Sequence, residues 1–184
     1  WPLLHQLSDA YDQCGLSAGD IDPAQFAERA FVVAEEWVQI LRSSPAVAAR
    51  PQPDVWSPLE YGAHVRDVYR IFDARLAQML SEDTPTFSSW DQDETAIREQ
   101  YGEQDPEVVA DELEAAAQRF VARIQSLKPD QYSRRGFRSD GAEFTVSAMR
   151  VLDRDGKVYR GPIEPHERID EETRLFERAL AWMS

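Results

Sequence analysis

The chain has 184 residues, 42% of them hydrophobic and 10% aromatic, so we expect it to form a core and to fold as a single domain over residues 1–184. Its net charge of −14 at pH 7 argues against nucleic-acid partners, because phosphate contacts require a positive surface. The single cysteine, Cys14, excludes an internal disulfide. The sequence also shows no apolar membrane span and no signal-peptide pattern. Together these observations predict a cytoplasmic protein without membrane contact.

The first long helix is predicted to follow Asp22, which has the position of an N-cap. Pro23 would occupy the first helical position, and Gln25 lies three residues after the cap, a pattern typical of helix starts. The helix is predicted to end near Ser43. The apolar residues of this helix recur at intervals of three and four and would face a core. They are Phe26, Ala30, Val33, Ala34, Trp37 and Leu41.

A second helix start follows a proline-bearing connector. Ser57 has the position of the N-cap, Pro58 follows it, and Glu60 completes a capping box. The helix is predicted to run to about Ser81, with an apolar face formed by Tyr61, His64, Val65, Val68, Phe72, Leu76 and Met79. The residues predicted to point away from the core are Arg66, Arg70, Asp73 and Ala77. This pattern places a polar residue, His64, on the inner face.

Residues 82–104 form a long excursion between two helices. Aromatic anchors are predicted at Phe87, Trp90 and Tyr101, and a short helix around residues 94–100. Loops of this length are often functional. The sequence leaves two interpretations open, a cover that its aromatic residues pin onto the bundle and a lid over a substrate.

The third long helix is predicted to begin after Asp105 and to end before the next proline, with an apolar stripe of Val109, Leu113, Ala116, Ala117, Phe120 and Ile124.

Residues 134–141 are basic and rich in turn-forming residues. Beyond them, the sequence is compatible with a short β-hairpin near residues 143–160 or with a helix capped by Thr145. Residues 169–183 predict a final helix. Together these elements predict an all-α fold, an antiparallel four-helix bundle to which the hairpin would be an addition.

The segment WSPLEYGAHVRDV, residues 56–68, resembles the second-helix motif of the DinB-like four-helix bundles. Further matches follow in the order of that family; they are Glu82-Asp83 with Pro85 and Phe87, Trp90-Asp91-Gln92-Asp93, Gln104-Asp105-Pro106, and Arg138-Ser139-Asp140-Gly141 leading to Phe144-Thr145-Val146. The resemblance covers residues 11–148, and it implies the same bundle architecture.

The resemblance also implies a metal position. In that family, a histidine on the second helix and a His-x-x-x-His pair on the last bundle helix hold a divalent metal, and His64 matches the first of these. The chain departs from the family after Val146, because no histidine follows until His166. The chain therefore has either no cofactor or one divalent metal, Zn or Ni, with His64 as the ligand that matches the family. The candidate substitutes for the missing histidine pair are His166, Glu167, Asp170, Asp153 and Asp155.

Three interpretations of His64 remain open from the sequence. It could be a core histidine satisfied by hydrogen bonds, a metal ligand, or a metal-free catalytic acid, base or ligand contact. Tyr61 on the same helix face and Arg138 in the basic stretch are the candidate substrate-binding residues, since guanidinium groups suit carboxylates and phosphates. Asp67 would either orient the imidazole or pair with a neighbouring arginine at the surface.

We therefore predict a divergent, metal-poor DinB-like protein with a small-molecule cavity near His64, acting as a specialised enzyme or as a small-molecule binder. Members of the family include mycothiol-dependent maleylpyruvate isomerases and transferases of low-molecular-weight thiols. One alternative is accordingly a divalent-metal-dependent thiol transferase or isomerase of this type. A second alternative is a non-catalytic stress or interaction protein that forms a homodimer through an exposed apolar face.

Overall fold

The computed structural model describes residues 23–146 of the chain. The helices and strands of this part are, in order, α1 (Pro23–Ser43), α2 (Pro58–Ser81), β1 (Thr86–Phe87), α3 (Gln92–Arg98), α4 (Pro106–Gln125), β2 (Arg135–Arg138) and β3 (Glu143–Thr145). Short 3-10 helices lie at Tyr101–Glu103 and Pro129–Gln131. The three long helices and the short helix predicted near residues 94–100 are confirmed. The predicted final helix, residues 169–183, lies outside the described residues.

The core lies between the three long helices. α1 packs against α4 and α2, and α2 packs against α4. The predicted apolar stripe of α4 is buried throughout, and the predicted inner face of α2 is buried except at Tyr61, which is half-buried. Burial of this apolar surface is the main stabilising contribution to such a bundle. Between residues 23 and 146, no helix is both long enough and apolar enough to span a membrane.

The start of α2 has the capping box that the sequence predicted. The hydroxyl of Ser57 accepts a hydrogen bond of 3.2 Å from the backbone N–H of Glu60, and the Glu60 carboxylate accepts one of 2.8 Å from the N–H of Ser57. Two backbone donors at the helix terminus are thereby satisfied. Because the box fixes the first residue of α2, it also fixes which residues of the helix face the core, His64 among them.

The strands form a small sheet in the order β1-β2-β3. β1 pairs in parallel with β2, and β2 pairs antiparallel with β3. A strand does begin at Glu143, where the hairpin alternative starts, and Thr145 is its last residue. The residues that Thr145 would cap as a helix lie outside the described residues, so that alternative stays open. Within the described residues, the partner of β3 is β2, which lies in the stretch 134–141. The composition of that stretch did not predict this strand.

Gly136 explains why this stretch forms a strand despite its turn-like composition. A Cβ atom added at Gly136 would lie 2.7 Å from Cε2 of Phe87 and 3.1 Å from Cγ of Met79. The missing side chain therefore lets the ring of Phe87 lie against β2 and next to α2. On the sheet, Phe87 also packs edge to face on Phe144, with ring centroids 6.1 Å apart.

Candidate functional site

His64 lies on α2 with only 5% of its surface exposed, so the predicted inward orientation is confirmed. Its imidazole stacks on the indole of Trp90, with ring centroids 5.3 Å apart and an interplanar angle of 8°. The indole of Trp56 also packs against it, at 5.6 Å and 60°. The imidazole is therefore enclosed in part by two tryptophan rings, one from before α2 and one from before α3.

Trp90 is held in place by the start of α3. Its indole Nε1 donates a hydrogen bond of 2.9 Å to the hydroxyl of Thr95, and that hydroxyl donates one of 2.7 Å to the carbonyl of Asp91. The Asp91 carboxylate caps the same helix by accepting from the N–H of Glu94 at 2.9 Å. The short helix thus fixes the ring that covers His64.

Trp56 connects His64 with two tyrosines. Its ring lies 5.5 Å from Tyr61 and 6.3 Å from Tyr101, edge to face in both cases, an arrangement that the charge distribution of aromatic rings favours. We call Trp56, Tyr61, His64, Trp90 and Tyr101 the aromatic cluster. Two residues singled out from the sequence, Tyr61 and His64, thus lie in one cluster. The aromatic anchors of the excursion, Trp90 and Tyr101, pack onto α2 as predicted.

Asp67, one turn after His64, is the centre of a charged network. Its carboxylate accepts hydrogen bonds from Tyr101 at 2.6 Å, from Arg66 at 2.9 Å and from Arg70 at 3.2 Å. Burial alone would raise the pKa of Asp67, but the hydrogen bonds from Arg66 and Tyr101 outweigh burial and lower it. The predicted pairing with arginine is confirmed, whereas its expected place at the surface was wrong, because the side chain is only 13% exposed.

Arg66 corrects another expectation. The helical pattern predicts that it points away from the core, yet it is buried, with 5% of its surface exposed. Its Nη1 atom donates to Gln104 at 2.8 Å and to Glu112 on α4 at 2.9 Å, and its guanidinium lies 5.9 Å from the ring centroid of Tyr101. Polar partners from two other elements compensate for the loss of water around the charge, which makes this burial tolerable.

A cleft of about 410 Å³ opens beside the aromatic cluster and shares Trp56 and Tyr101 with it. We call it the Trp56 cleft. The rest of its wall comes from the connector before α2, from α2, from α3 and from the 3-10 helix that follows. Among the lining residues are Arg50, Glu60, Asp93, Ala96, Ile97 and Glu103. Its volume falls within the range of about 300 to 1,000 Å³ that is typical of small-molecule pockets.

Two opposite charges in the wall of the cleft are paired with each other. The guanidinium of Arg50 donates to both carboxylate oxygens of Glu60, with Nε 2.9 Å from Oε2, and also to the carbonyl of Pro53 at 2.9 Å. Burial raises the pKa of Glu60, but the hydrogen bonds from Arg50 and Ser57 outweigh burial and lower it. The pair therefore contributes little net charge to the cleft.

The arginines of the basic stretch lie on the sheet, each with a partner in the described residues. Arg138 forms an ion pair with Asp140, and Arg135 forms one with Glu143 at 3.2 Å. Arg134 donates to the carbonyl of Glu82 at 2.7 Å, which ties the sheet to the end of α2. The role of Arg138 in substrate binding stays a prediction.

The metal position implied by the resemblance can be tested against the residues that the structure describes. From residue 23 to residue 146, His64 is the one histidine, and no group of three or more histidine, cysteine, aspartate or glutamate side chains is placed to hold a metal ion. The second candidate ligand, His166, lies outside this range. The rings beside His64 are indoles, which are not metal ligands. Residues 23–146 therefore do not by themselves supply the several ligands that a divalent metal centre needs.

Sequence reasoning missed most of the residues that line the Trp56 cleft. Arg50, Ile97 and Glu103 belong to no recognisable motif, and Asp93 was noted only within the family match Trp90-Asp91-Gln92-Asp93, without a role in a site. Arg50 is separated from the other three by more than forty residues along the chain. The available signal was indirect. The capping box at Ser57 predicted where α2 begins, and the aromatic anchors suggested that the excursion packs onto the bundle.

Comparison with known proteins agrees with this geometry. A family model described as the DinB superfamily matches residues 34–152. YfiT from Bacillus subtilis, described as a probable metal-dependent hydrolase with an unusual four-helix bundle topology, is a similar solved structure, with 19% sequence identity and a TM-score of 0.61 over 86% of this chain and 90% of that chain. No curated protein sequence matches the chain. The structural similarity confirms the predicted four-helix-bundle fold.

Proposed function

This chain belongs to the DinB superfamily, and we propose that it is a small-molecule-binding protein that works without a bound metal and whose binding site is the Trp56 cleft. One observation carries the proposal. Trp56 lines the cleft and also packs against His64. His64, which matches the first metal ligand of the family, is therefore separated from a cleft of ligand size by one side chain.

The composition of the cleft supports a binding role. Small-molecule pockets combine apolar and aromatic walls with a few polar groups that orient the ligand. Here Trp56, Ala96 and Ile97 are the apolar part, and the paired charges of Arg50 and Glu60 are polar groups held in a fixed geometry.

The surroundings of His64 favour binding over acid–base catalysis. A catalytic acid or base must come within hydrogen-bond distance of the substrate. His64 is only 5% exposed and does not line the cleft, and Trp56 stands next to it. Within this proposal His64 is a positioning residue, which acts on a ligand through the ring of Trp56.

Screening a set of small aromatic fragments by nuclear magnetic resonance tests the proposal. The indole N–H signals of the five tryptophans are recorded, and the Trp56 signal is assigned by its loss in Trp56→Phe. We expect at least one fragment to shift the Trp56 signal in a saturable way.

Two matched variants localise the binding. Ile97 and Val108 are both large apolar residues on helices, with 79% and 53% of their surfaces exposed, but Ile97 alone lines the cleft. Ile97→Ala should weaken fragment binding about two- to fivefold through lost apolar contact, while Val108→Ala leaves it unchanged. Equal effects of the two variants, or no shift of the Trp56 signal with any fragment, would contradict the proposal.

A second candidate is a divalent-metal enzyme, a thiol transferase, isomerase or hydrolase. It is supported by the similarity to YfiT, described as a probable metal-dependent hydrolase, and by His64 at the position of the first family ligand. Metal analysis of protein purified without a His-tag tests it. Close to one equivalent of zinc or nickel, with a rise in thermal stability when that metal is added, would favour the metal enzyme; less than about 0.1 equivalent and no stabilisation would count against it.

A further inference from the structure

We propose that the ligand of the Trp56 cleft is an organic cation, a small amine or quaternary ammonium group attached to an apolar body. This inference rests on the proposed function and adds the ligand class. It follows from three properties of the wall: uncompensated negative charge, an accessible indole and an exposed apolar lip.

The first property is charge. Arg50 and Glu60 neutralise each other through their hydrogen bonds, which leaves the carboxylates of Asp93 and Glu103 on the wall. Between residues 23 and 146, neither of these carboxylates forms an ion pair. Glu103 accepts one hydrogen bond, of 3.1 Å, from the amide of Gln100. The wall of the cleft therefore carries net negative charge from these two carboxylates.

The second property is the indole of Trp56. Trp56 is half-buried, with Tyr101 and His64 packed against its ring, and it lines the cleft. Among aromatic side chains, tryptophan attracts cations most strongly across its ring face. Tyr101 packs edge to face on the indole, and none of its surface is exposed, so Trp56 is the ring that would contact the cation.

The third property is an apolar lip. Ile97 is 79% exposed, more than any other large apolar residue of the described chain, and it lies on the wall of the cleft beside Ala96. An apolar group that covered Ile97 would remove this surface from water, which favours binding. A ligand that carries both a cationic head and an apolar body would satisfy all three properties.

The charge of the whole chain acts in the same direction. With a net charge of −14, the protein attracts cations and repels anions over distances longer than a direct contact, and added salt screens this effect. An anionic ligand would have to overcome both the local carboxylates and the overall field.

Three probes of similar shape test the inference: phenethylamine, which is cationic at neutral pH, phenethyl alcohol, which is neutral, and phenylacetate, which is anionic. Each is titrated into the full chain while the Trp56 indole signal is followed. We expect phenethylamine to bind about tenfold more tightly than phenethyl alcohol, the combined worth of a surface ion pair and a cation–ring contact. Phenylacetate should bind most weakly, and salt should weaken the binding of phenethylamine alone.

Charge-neutralising variants separate local from overall electrostatics. Asp93→Asn and Glu103→Gln should each weaken phenethylamine binding about two- to fivefold, the worth of an exposed ion pair. Asp130→Asn is the matched control, because it changes the net charge equally but lies outside the cleft, and it should have no such effect. None of the three side chains is buried, so all three variants are expected to fold.

The outcomes distinguish this inference from the proposed function. If the three probes bind equally, or if the anion binds most tightly, the ligand is not a cation, although the cleft still binds small molecules. If phenethylamine does not shift the Trp56 signal at all, the inference is overturned, while the fragment screen decides the proposed function separately. Selective binding of phenethylamine that Asp93→Asn and Glu103→Gln weaken, and Asp130→Asn does not, supports both.

Discussion

The phenol of Tyr101 donates a hydrogen bond of 2.6 Å to Oδ2 of Asp67 and thereby fixes the 3-10 helix after α3 to the middle of α2. The same tyrosine packs edge to face on Trp56. Because Trp56 and Tyr101 both line the cleft, a single part-buried hydrogen bond links the charged network around Asp67 to the geometry of the proposed binding site.

Tyr101→Phe should lower the free energy of unfolding by about 1.5 to 3 kcal/mol, since hydrogen bonds to charged groups are worth that much and the carboxylate is left with fewer donors. Urea denaturation measures the change. In a double-mutant cycle with Asp67→Ala, which removes the acceptor, the two losses should not add, because both variants remove the same bond. Fully additive losses would show that the hydrogen bond contributes nothing to stability.

The stability of the fold should depend on pH through Asp67. Its pKa in the folded protein is lowered, because hydrogen bonds from Arg66 and Tyr101 outweigh burial. The ionised carboxylate thus contributes stability that is fully present above the unfolded pKa of about 3.9 and is lost as the pH falls through the lower folded pKa.

The measurement compares the unfolding free energies of the native chain and Asp67→Asn by urea denaturation. Their difference should be largest near about pH 6 and should shrink as the pH is lowered toward about 2. A difference that stays constant across this range would mean that Asp67 does not titrate differently in the folded and unfolded states.

Gly136→Ala should destabilise the protein by about 1 to 3 kcal/mol, the usual cost of adding a methyl group to a filled site. The new Cβ would lie 2.7 Å from Cε2 of Phe87, too close for a normal contact. Gly102→Ala is the control, since its Cβ would lie 3.6 Å from Cδ of Glu60, an ordinary distance. Thermal unfolding should therefore separate the two variants; similar melting temperatures would argue against the packing of Phe87 on β2.

His64→Phe distinguishes a positioning role from a chemical one. A phenyl ring preserves packing against Trp56 and Trp90, so we expect a stability change of about 1 kcal/mol and retained fragment binding at the cleft. His64→Ala leaves a cavity and should cost about 2 to 4 kcal/mol. If folded His64→Phe lost fragment binding, a role of His64 limited to packing against Trp56 would be contradicted.

The parts of the fold that depend on local interactions could be predicted from the sequence. Ser57 and Glu60 lie three residues apart, and the capping box between them depends on that spacing alone. The apolar stripe of α4 and the inward position of His64 follow from helical periodicity. Each of these predictions is confirmed. They could be made from the sequence because each depends on residues within one helix or its cap.

The parts that depend on contacts between distant segments could not be predicted in this way. β1 pairs with β2 across about fifty residues, from Thr86 to Phe137. Arg66 is buried because Gln104 and Glu112 reach it from other elements, and no periodicity on α2 reveals those partners. The Trp56 cleft has the same origin, since its wall exists only once the connector, α2, α3 and the 3-10 helix have packed together.

The central claim is that the cleft binds small molecules without a metal. Its most direct test repeats the fragment screen on protein treated with a metal chelator and then with zinc or nickel added back. We predict that the Trp56 indole signal shifts with the same fragments and the same affinities under all three conditions. Binding that the chelator abolishes and the added metal restores would contradict the claim and would favour the metal-dependent alternative.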